Sequence, residues 1–262
     1  MRSEDTAAVV VDGVSKRFFL RRARAYALKT ALLTLPSLLL NGGSRREAFW
    51  ALQDISFGLA RGECLGIAGP NGSGKSTLLR VIARITPPTT GRVVTNGRVS
   101  ALLELGAGFH PQITGRENAL INAVLLGLNL KEAREALPGM IEFSELGDFI
   151  DQPMRTYSSG MYVRLGFAVA VHVRPEILLV DEVLAVGDAE FQSKCFGHME
   201  KLRRDGVTIV IASHDLPSIQ RYTDRALLLE HGRIIADGKP AQVLHDYLTR
   251  VFGTAQAVGE AR

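Results

Sequence analysis

The chain has 262 residues, 46% hydrophobic and 22% charged, which excludes a disordered or collagen-like chain. Its two cysteines, Cys64 and Cys195, are too few for a disulfide framework or a zinc cluster. The net charge of +4 is local in origin: eight basic and no acidic residues lie between Lys16 and Arg46, and outside that stretch 23 basic residues face 27 acidic ones. A uniformly basic nucleic-acid-binding surface, and hence a nucleic-acid partner, is not expected. No apolar run reaches the roughly 20 residues that span a bilayer. MRSEDTAAVV lacks the basic n-region and apolar h-region of a secretory signal. The expected setting is a reducing cytoplasm, where both thiols are small buried side chains.

In chain order, Val9 to Val11 is a short β-branched run, read as a first strand. A long insertion follows, about 20–47. Its Leu28, Leu32, Leu35 and Leu39 fall on one helical face, with Pro36 as a kink. It reads either as a helix packed on its own domain or as an element touching membrane or membrane subunit. Phe49 to Leu59 leads to a turn at Arg61-Gly62-Glu63, and Cys64 to Ala68 reads as a buried parallel strand. Ser76 to Ile85 reads as a helix stopped by Pro87 and Pro88. Val93-Val94 and Val99 to Leu103 suggest strands around Asn96-Gly97. Arg116 to Leu126, Lys131 to Leu137 and Tyr162 to His172 have helical spacing. Ile177 to Val180 and Val207 to Ala212 are buried-strand runs, and His231-Gly232 between two short strands signals a hairpin. Ala241 to Val251 reads as a closing helix. Strands alternating with helices predict an α/β fold with a mainly parallel core sheet, and the middle of the chain reads as an inserted helical subdomain.

Gly69-Pro70-Asn71-Gly72-Ser73-Gly74-Lys75-Ser76-Thr77 matches the P-loop pattern, with a strand before it and a helix after it. Glycines let backbone N–H groups turn around phosphate oxygens, and the helix aims its positive dipole end at the anion. Lys75 is expected on the β- and γ-phosphates, the Ser76 hydroxyl on Mg²⁺ and Thr77 near the α-phosphate. The run Ile177 to Val180 ends in Asp181-Glu182, which places Asp181 to hold Mg²⁺ and Glu182 to polarise an attacking water. His214, 32 residues beyond Glu182 at the end of another strand, is expected at the γ-phosphate.

This set resembles the ABC-transporter ATPase family. The segment Tyr157-Ser158-Ser159-Gly160-Met161, with Ser158 23 residues before Asp181, takes the place of that family's Leu-Ser-Gly-Gly-Gln signature. The resemblance covers about residues 8–240. It implies a P-loop NTPase fold with a mixed sheet and an inserted helical subdomain, all in one domain over 1–262. The core would be about 8–105 and 173–240, the helical subdomain about 106–172 and the closing helix about 241–252. It also implies a homodimer, in which Ser158, Ser159 and Gly160 of one subunit close over the γ-phosphate held by the other. Asp188 corresponds to the acid of the D-loop. Phe18 corresponds to the aromatic that stacks on adenine, with Phe49 and Trp50 as alternatives and core packing as the competing role.

Three departures stand out. Ser159 and Met161 replace Gly and Gln in the signature. The D-loop reads Leu184-Ala185-Val186-Gly187-Asp188. No Q-loop glutamine is evident, which leaves Glu104 near its place on the metal and Gln112 as the weaker choice. The segments around these departures resemble the ATPase subunits of polysaccharide exporters for O-antigen, teichoic acid or capsule. That subgroup implies ATP and Mg²⁺, a separate pair of integral-membrane permease subunits, a lipid-linked polysaccharide as cargo, and a place on the cytoplasmic face of the inner membrane. The chain ends soon after Phe252, so the carbohydrate-binding domain that some members carry is not expected. An importer ATPase is the runner-up. A soluble ABC ATPase acting on DNA or ribosomes would call for a second cassette or a coiled-coil insertion. A scaffold without turnover is disfavoured by Lys75, Asp181, Glu182 and His214.

Overall fold

The computed structural model describes residues 7–20, 47–103, 106, 108–181 and 188–259. The leucine stripe and most of the basic insertion, together with Glu104, Glu182 and residues 184–187, lie outside the described residues.

Strand β1 (Ala7–Leu20) is much longer than its β-branched run. Register shifts between Val11 and Lys16, and a positive φ at Gly13, break its alternation and hide its length in the sequence. It pairs antiparallel with β2 (Glu47–Ala60) and with β4 (Thr90–Thr95), giving a three-stranded sheet in the order β2-β1-β4.

The second sheet has six strands: β3 (Cys64–Ala68), β5 (Val99–Leu102), β6 (Ile177–Asp181), β7 (Thr208–Ala212), β8 (Arg225–Glu230) and β9 (Arg233–Gly238). Their order is β5-β6-β7-β3-β8-β9, with all pairs parallel except β8–β9. That last pair is the expected hairpin. Its turn has φ of 47° at His231 and 76° at Gly232, the positive pair that a two-residue hairpin needs.

Both faces of this sheet are covered. Ile177 and Leu179 join one core, Leu178 and Val180 the other, and β7 divides Val210 from Ile209 and Ile211 in the same way. This period of two, apolar on both sides, is why the strands read as unbroken hydrophobic runs. One core holds the antiparallel sheet and helix α1 (Lys75–Ile82). The opposite one holds α4 (Ser159–His172) and α5 (Ala189–Arg204).

Helices α2 (Gly115–Leu125) and α3 (Leu130–Ser144) pack with the other side of α4 around a third cluster that includes Ala119, Met140, Leu165 and Val169. Both α2 and α3 open with a complete capping box, Thr114 with Glu117 and Asn129 with Glu132. Helix α3 continues through Pro138 because Met140 and Phe143 beyond it are buried, and this anchoring outweighs the break expected after Leu137.

Two helices have no counterpart in the sequence reading. Helix α5 buries only Phe191, Cys195 and Met199, a stripe one residue wide at spacings of four. Helix α6 (Leu216–Tyr222) is two turns long. The chain closes with α7 (Pro240–Gly259). Burial pushes the thiols of Cys64 and Cys195 up to about 12, so both stay protonated packing groups.

Leu165→Ala should lower stability by about 2–5 kcal/mol, because Leu165 is fully buried where α4 meets α2 and α3. Leu125→Ala, at a side chain 69% exposed, should change it by less than about 0.5 kcal/mol. Urea midpoints of the two variants check the contrast.

Candidate active site

Strand β3 ends at Ala68 and the chain turns at once into Gly69, whose φ is +150°. A Cβ there would sit 2.1 Å from the Leu229 carbonyl oxygen, so only glycine lets the loop leave the sheet against β8. Gly74, at φ +111°, caps α1 without a side chain, and a Cβ on it would lie 2.6 Å from the Ala51 carbonyl. No acidic residue occupies the first turn of α1. The result is a helix N-terminus whose first-turn N–H groups face an open loop, an arrangement that favours an anion.

Lys75 is only 5% exposed and donates through Nζ to the carbonyls of Gly69 at 2.8 Å and Pro70 at 3.2 Å. Those carbonyls offset the cost of burying an ammonium and hold it across the loop. Pro70, Asn71, Gly72 and Ser76 are exposed, Thr77 is half-buried, and Ser73 is buried with an Oγ that makes no hydrogen bond.

The loop is buttressed from behind by groups the sequence reading did not assign to it. Gly232 N–H donates to the Ser73 carbonyl at 2.9 Å, and Gln53 N–H donates to the Gly232 carbonyl at 2.7 Å. The Gln53 amide also donates to the His231 carbonyl at 3.1 Å. The β8–β9 turn thus clamps the phosphate loop against β2. His231-Gly232 signals a turn in the sequence, but its contact with a loop about 160 residues away does not show there.

Strand order brings the remaining polar groups to the same edge. β6, β7 and β3 are neighbours and parallel, so Asp181, the Ser213-His214 step and Gly69 all follow C-terminal strand ends on one side of the sheet. Asp181 lies opposite Ala212 in register, and Ser213 N–H donates to the Ile67 carbonyl at 3.2 Å. One carboxylate oxygen of Asp181, Oδ1, is buried and has no hydrogen-bond partner. His214 is exposed and lines a cleft of about 340 Å³ with Val180, Phe196 and Tyr222.

Ser158 lies apart from this edge, at the head of α4. Its Oγ caps that helix by accepting from Met161 N–H at 3.2 Å, which leaves the hydroxyl proton as an outward donor. Ser158 and Ser159 are exposed and Gly160 is half-buried. Asp188 caps α5, accepting from Phe191 N–H at 2.9 Å. That hydrogen bond, and then Arg164, hold its carboxyl below the usual carboxylate range.

The three aromatic candidates share the far end of the β1–β2 hairpin. Phe18 stands opposite Phe49, and Trp50 opposite Arg17. They are 39–51% exposed, which removes core packing as their role. Lys16 Nζ lies 5.3 Å from the Phe18 ring centre, and the Arg17 guanidinium 5.3 Å from that of Trp50.

The sequence pattern of the ABC transporter family matches residues 52–185, a stretch that contains the P-loop, the Ser158 segment and Asp181. The chain belongs to the ABC transporter family.

It is 48% identical over 199 residues to an O-antigen export system ATP-binding protein, RfbB, of Klebsiella pneumoniae, covering 76% of this chain and 81% of that one. It is 51% identical over 197 residues to the protein of the same name from Myxococcus xanthus, with 75% and 45% covered. It is 44% identical over 211 residues to a teichoic acids export ATP-binding protein, TagH, of Lactococcus lactis, with 80% and 45% covered. The chain thus spans under half the length of the last two. A dimeric ATP-binding cassette in a post-hydrolysis state with ADP and Pi shares the fold, with a TM-score of 0.70 at 22% identity over 88% of this chain and 98% of that one. The protein is therefore a nucleotide-binding ATPase cassette with the mixed α/β fold of its family.

Gly69→Ala should abolish nucleotide binding, because the new methyl meets the Leu229 carbonyl and the loop must move off β8. Titration with a fluorescent ATP analogue checks this, and binding at wild-type affinity would contradict the close approach.

Proposed function

We propose that this cassette is the ATP-hydrolysing subunit of an exporter that moves a lipid-linked polysaccharide across the cytoplasmic membrane. The observation that supports the hydrolytic part is that the Lys75 loop, the partnerless Asp181 oxygen and His214 all follow the C-terminal ends of adjacent parallel strands. The cargo class follows from the names of the O-antigen and teichoic acid relatives.

In this reading the backbone of Gly69 to Gly74 and the ammonium of Lys75 cradle the β- and γ-phosphates, with Thr77 near the α-phosphate. Mg²⁺ fits the donors present: a buried carboxylate oxygen of Asp181 that no protein group satisfies, and an exposed Ser76 hydroxyl next to Lys75. Bound there, the ion would neutralise charge on the transferring phosphoryl group. Glu104 is its further candidate ligand. Glu182, next after Asp181, orients and polarises the attacking water, and His214 holds the γ-phosphate. Phe18 stacks on adenine, with Phe49 or Trp50 as substitutes.

Two copies act together. Ser158, Ser159 and Gly160, at an N-terminus without acidic residues, meet the γ-phosphate on the partner's loop. Asp188 braces the head of α5 by accepting from Phe191 N–H. In this reading a separate pair of permease subunits holds the cassette at the cytoplasmic face; no described helix is long and apolar enough to cross a membrane. Ile85, Ile121, Val124 and Leu125 form an exposed apolar surface beside a groove of about 210 Å³, which suits a permease segment.

Glu182→Gln should bind ATP yet hydrolyse it about 10²–10⁴-fold more slowly, since the amide keeps the shape and loses the basicity. Turnover in the purified transporter measures it. Mixing Lys75→Ala chains with Ser158→Arg chains should restore some hydrolysis, because one composite site in the mixed dimer is whole. Full activity of either variant alone, as a dilute monomer, would refute the two-chain site.

A further inference from the structure

The helix that presents Ser158 is bolted to the helix that Asp188 heads, and one side chain makes the bolt. Arg164 lies on α4, six residues beyond Ser158. Its guanidinium reaches two carboxylates on two other segments. Nη1 donates to Glu145 Oε2 at 2.8 Å, and Nη2 donates to Asp188 Oδ2 at 2.5 Å. The same group lies over the Phe191 ring, 4.7 Å from its centre. Arg164 is 20% exposed, whereas its partners Glu145 and Asp188 are 43% and 61% exposed, so the cation is the sheltered member.

Each carboxylate is already committed elsewhere. Asp188 spends its other oxygen on the Phe191 N–H at the head of α5. Glu145 ends α3 in the left-handed conformation, at φ +55°, and its other oxygen accepts from Lys194 Nζ at 2.6 Å. The Lys194 hydrogen bond leads the effects that hold the Glu145 carboxyl below the usual carboxylate range. Three helices, α3, α4 and α5, therefore share one fork. A planar guanidinium with several fixed donors can serve two carboxylates at once, which a lysine ammonium at this position does only with a different geometry.

The placement gives the fork its meaning. Ser158 and Gly160 stand at the head of α4. Asp188 closes the seven-residue step that begins at Asp181, the residue with the partnerless oxygen. Among the described residues, Arg164 makes a direct polar link between these two ends.

We propose that Arg164 is a positioning residue that sets the signature end of α4 against the Asp181–Asp188 end, so that engagement of the partner's ATP by one subunit aligns that same subunit for hydrolysis. This rests on the two-chain site above. Loss of the fork leaves the phosphate loop intact, because Lys75 and its carbonyl partners Gly69 and Pro70 join β3 to α1, which pack in a different core. Nucleotide binding therefore persists while turnover falls. Misplacement by about 1 Å is enough to cost on the order of 10²-fold in rate.

The test uses the full chain purified with its permease. Arg164→Gln, Arg164→Lys and Asp188→Asn are assayed for kcat, for KM toward ATP and for thermal unfolding. Asparagine keeps the cap on α5 and removes the charge, so Asp188→Asn remains informative even if the Arg164 variants fail to fold. The expected result is a fall in kcat of about tenfold or more in each, with KM within about twofold and Arg164→Lys no better than partly active. Arg164→Gln combined with Asp188→Asn should be no slower than the worse single variant. Lys194→Gln, which loosens Glu145 without touching the Arg164–Asp188 pair, should keep near-wild-type kcat. The proposal is overturned if Asp188→Asn keeps full turnover, if the Arg164 and Asp188 losses multiply, or if Lys194→Gln loses as much. Failure of the two-chain reading shows separately, as no recovery of hydrolysis when Lys75→Ala and Ser158→Arg chains are mixed.

Discussion

Three parallel strands, β6, β7 and β3, lie side by side with their C-terminal ends on one edge, and the candidate site hangs on that register. Asp181, His214 and the phosphate loop are far apart in sequence, and each follows a different strand. They share one sheet edge because Asp181 pairs with Ala212 and Ile67 with Ala212 across the shared neighbour. Both faces of these strands are apolar and covered. A slip of one residue would exchange the two cores and turn every side chain to the wrong face.

The phosphate loop is tightly built around that edge. Gly69 and Gly74 pass so close to the Leu229 and Ala51 carbonyls that a side chain is excluded at both. The β8–β9 turn and β2 then lock the loop from behind through Gly232 and Gln53. Such pre-organisation reduces the ordering cost when a polyanion binds. Lys75 is held by the loop's own carbonyls, so its charge is already positioned.

Helix α4 has a double allegiance. Leu165, Val169 and Val173 at its end face the cluster of α2 and α3, while Phe167, Ala168, Ala170 and Val171 face the core under the sheet. A helix apolar on both sides must lie between two cores. Its head, with Ser158 and Ser159 exposed, is therefore placed by packing on both sides at once. Arg164 adds a polar tie to α5 where that packing gives way to solvent.

The strand, glycine-rich turn and helix of the Lys75 loop were legible in the sequence, because their demands are local: glycines for the turn and a strand and helix on either side. The buried strands and the His231-Gly232 hairpin were legible for the same reason, since apolar runs and turn residues act within a few positions. Helix α5 was not, because Phe191, Cys195 and Met199 are a thin stripe among polar residues, stabilised by aromatic neighbours from α3 and α4. The length of β1 was hidden by bulges that only its two partner strands accommodate. Phe18, Phe49 and Trp50 could be named as aromatics of interest, but their exposure depends on where the hairpin end projects. The sequence alone thus determined the glycine-rich turn from β3 into α1 and the apolar strands around it. Only the tertiary structure decided which distant groups meet, the Gly232 clamp and the Arg164 fork among them, because strand order and helix packing are set by contacts that no short window of sequence contains.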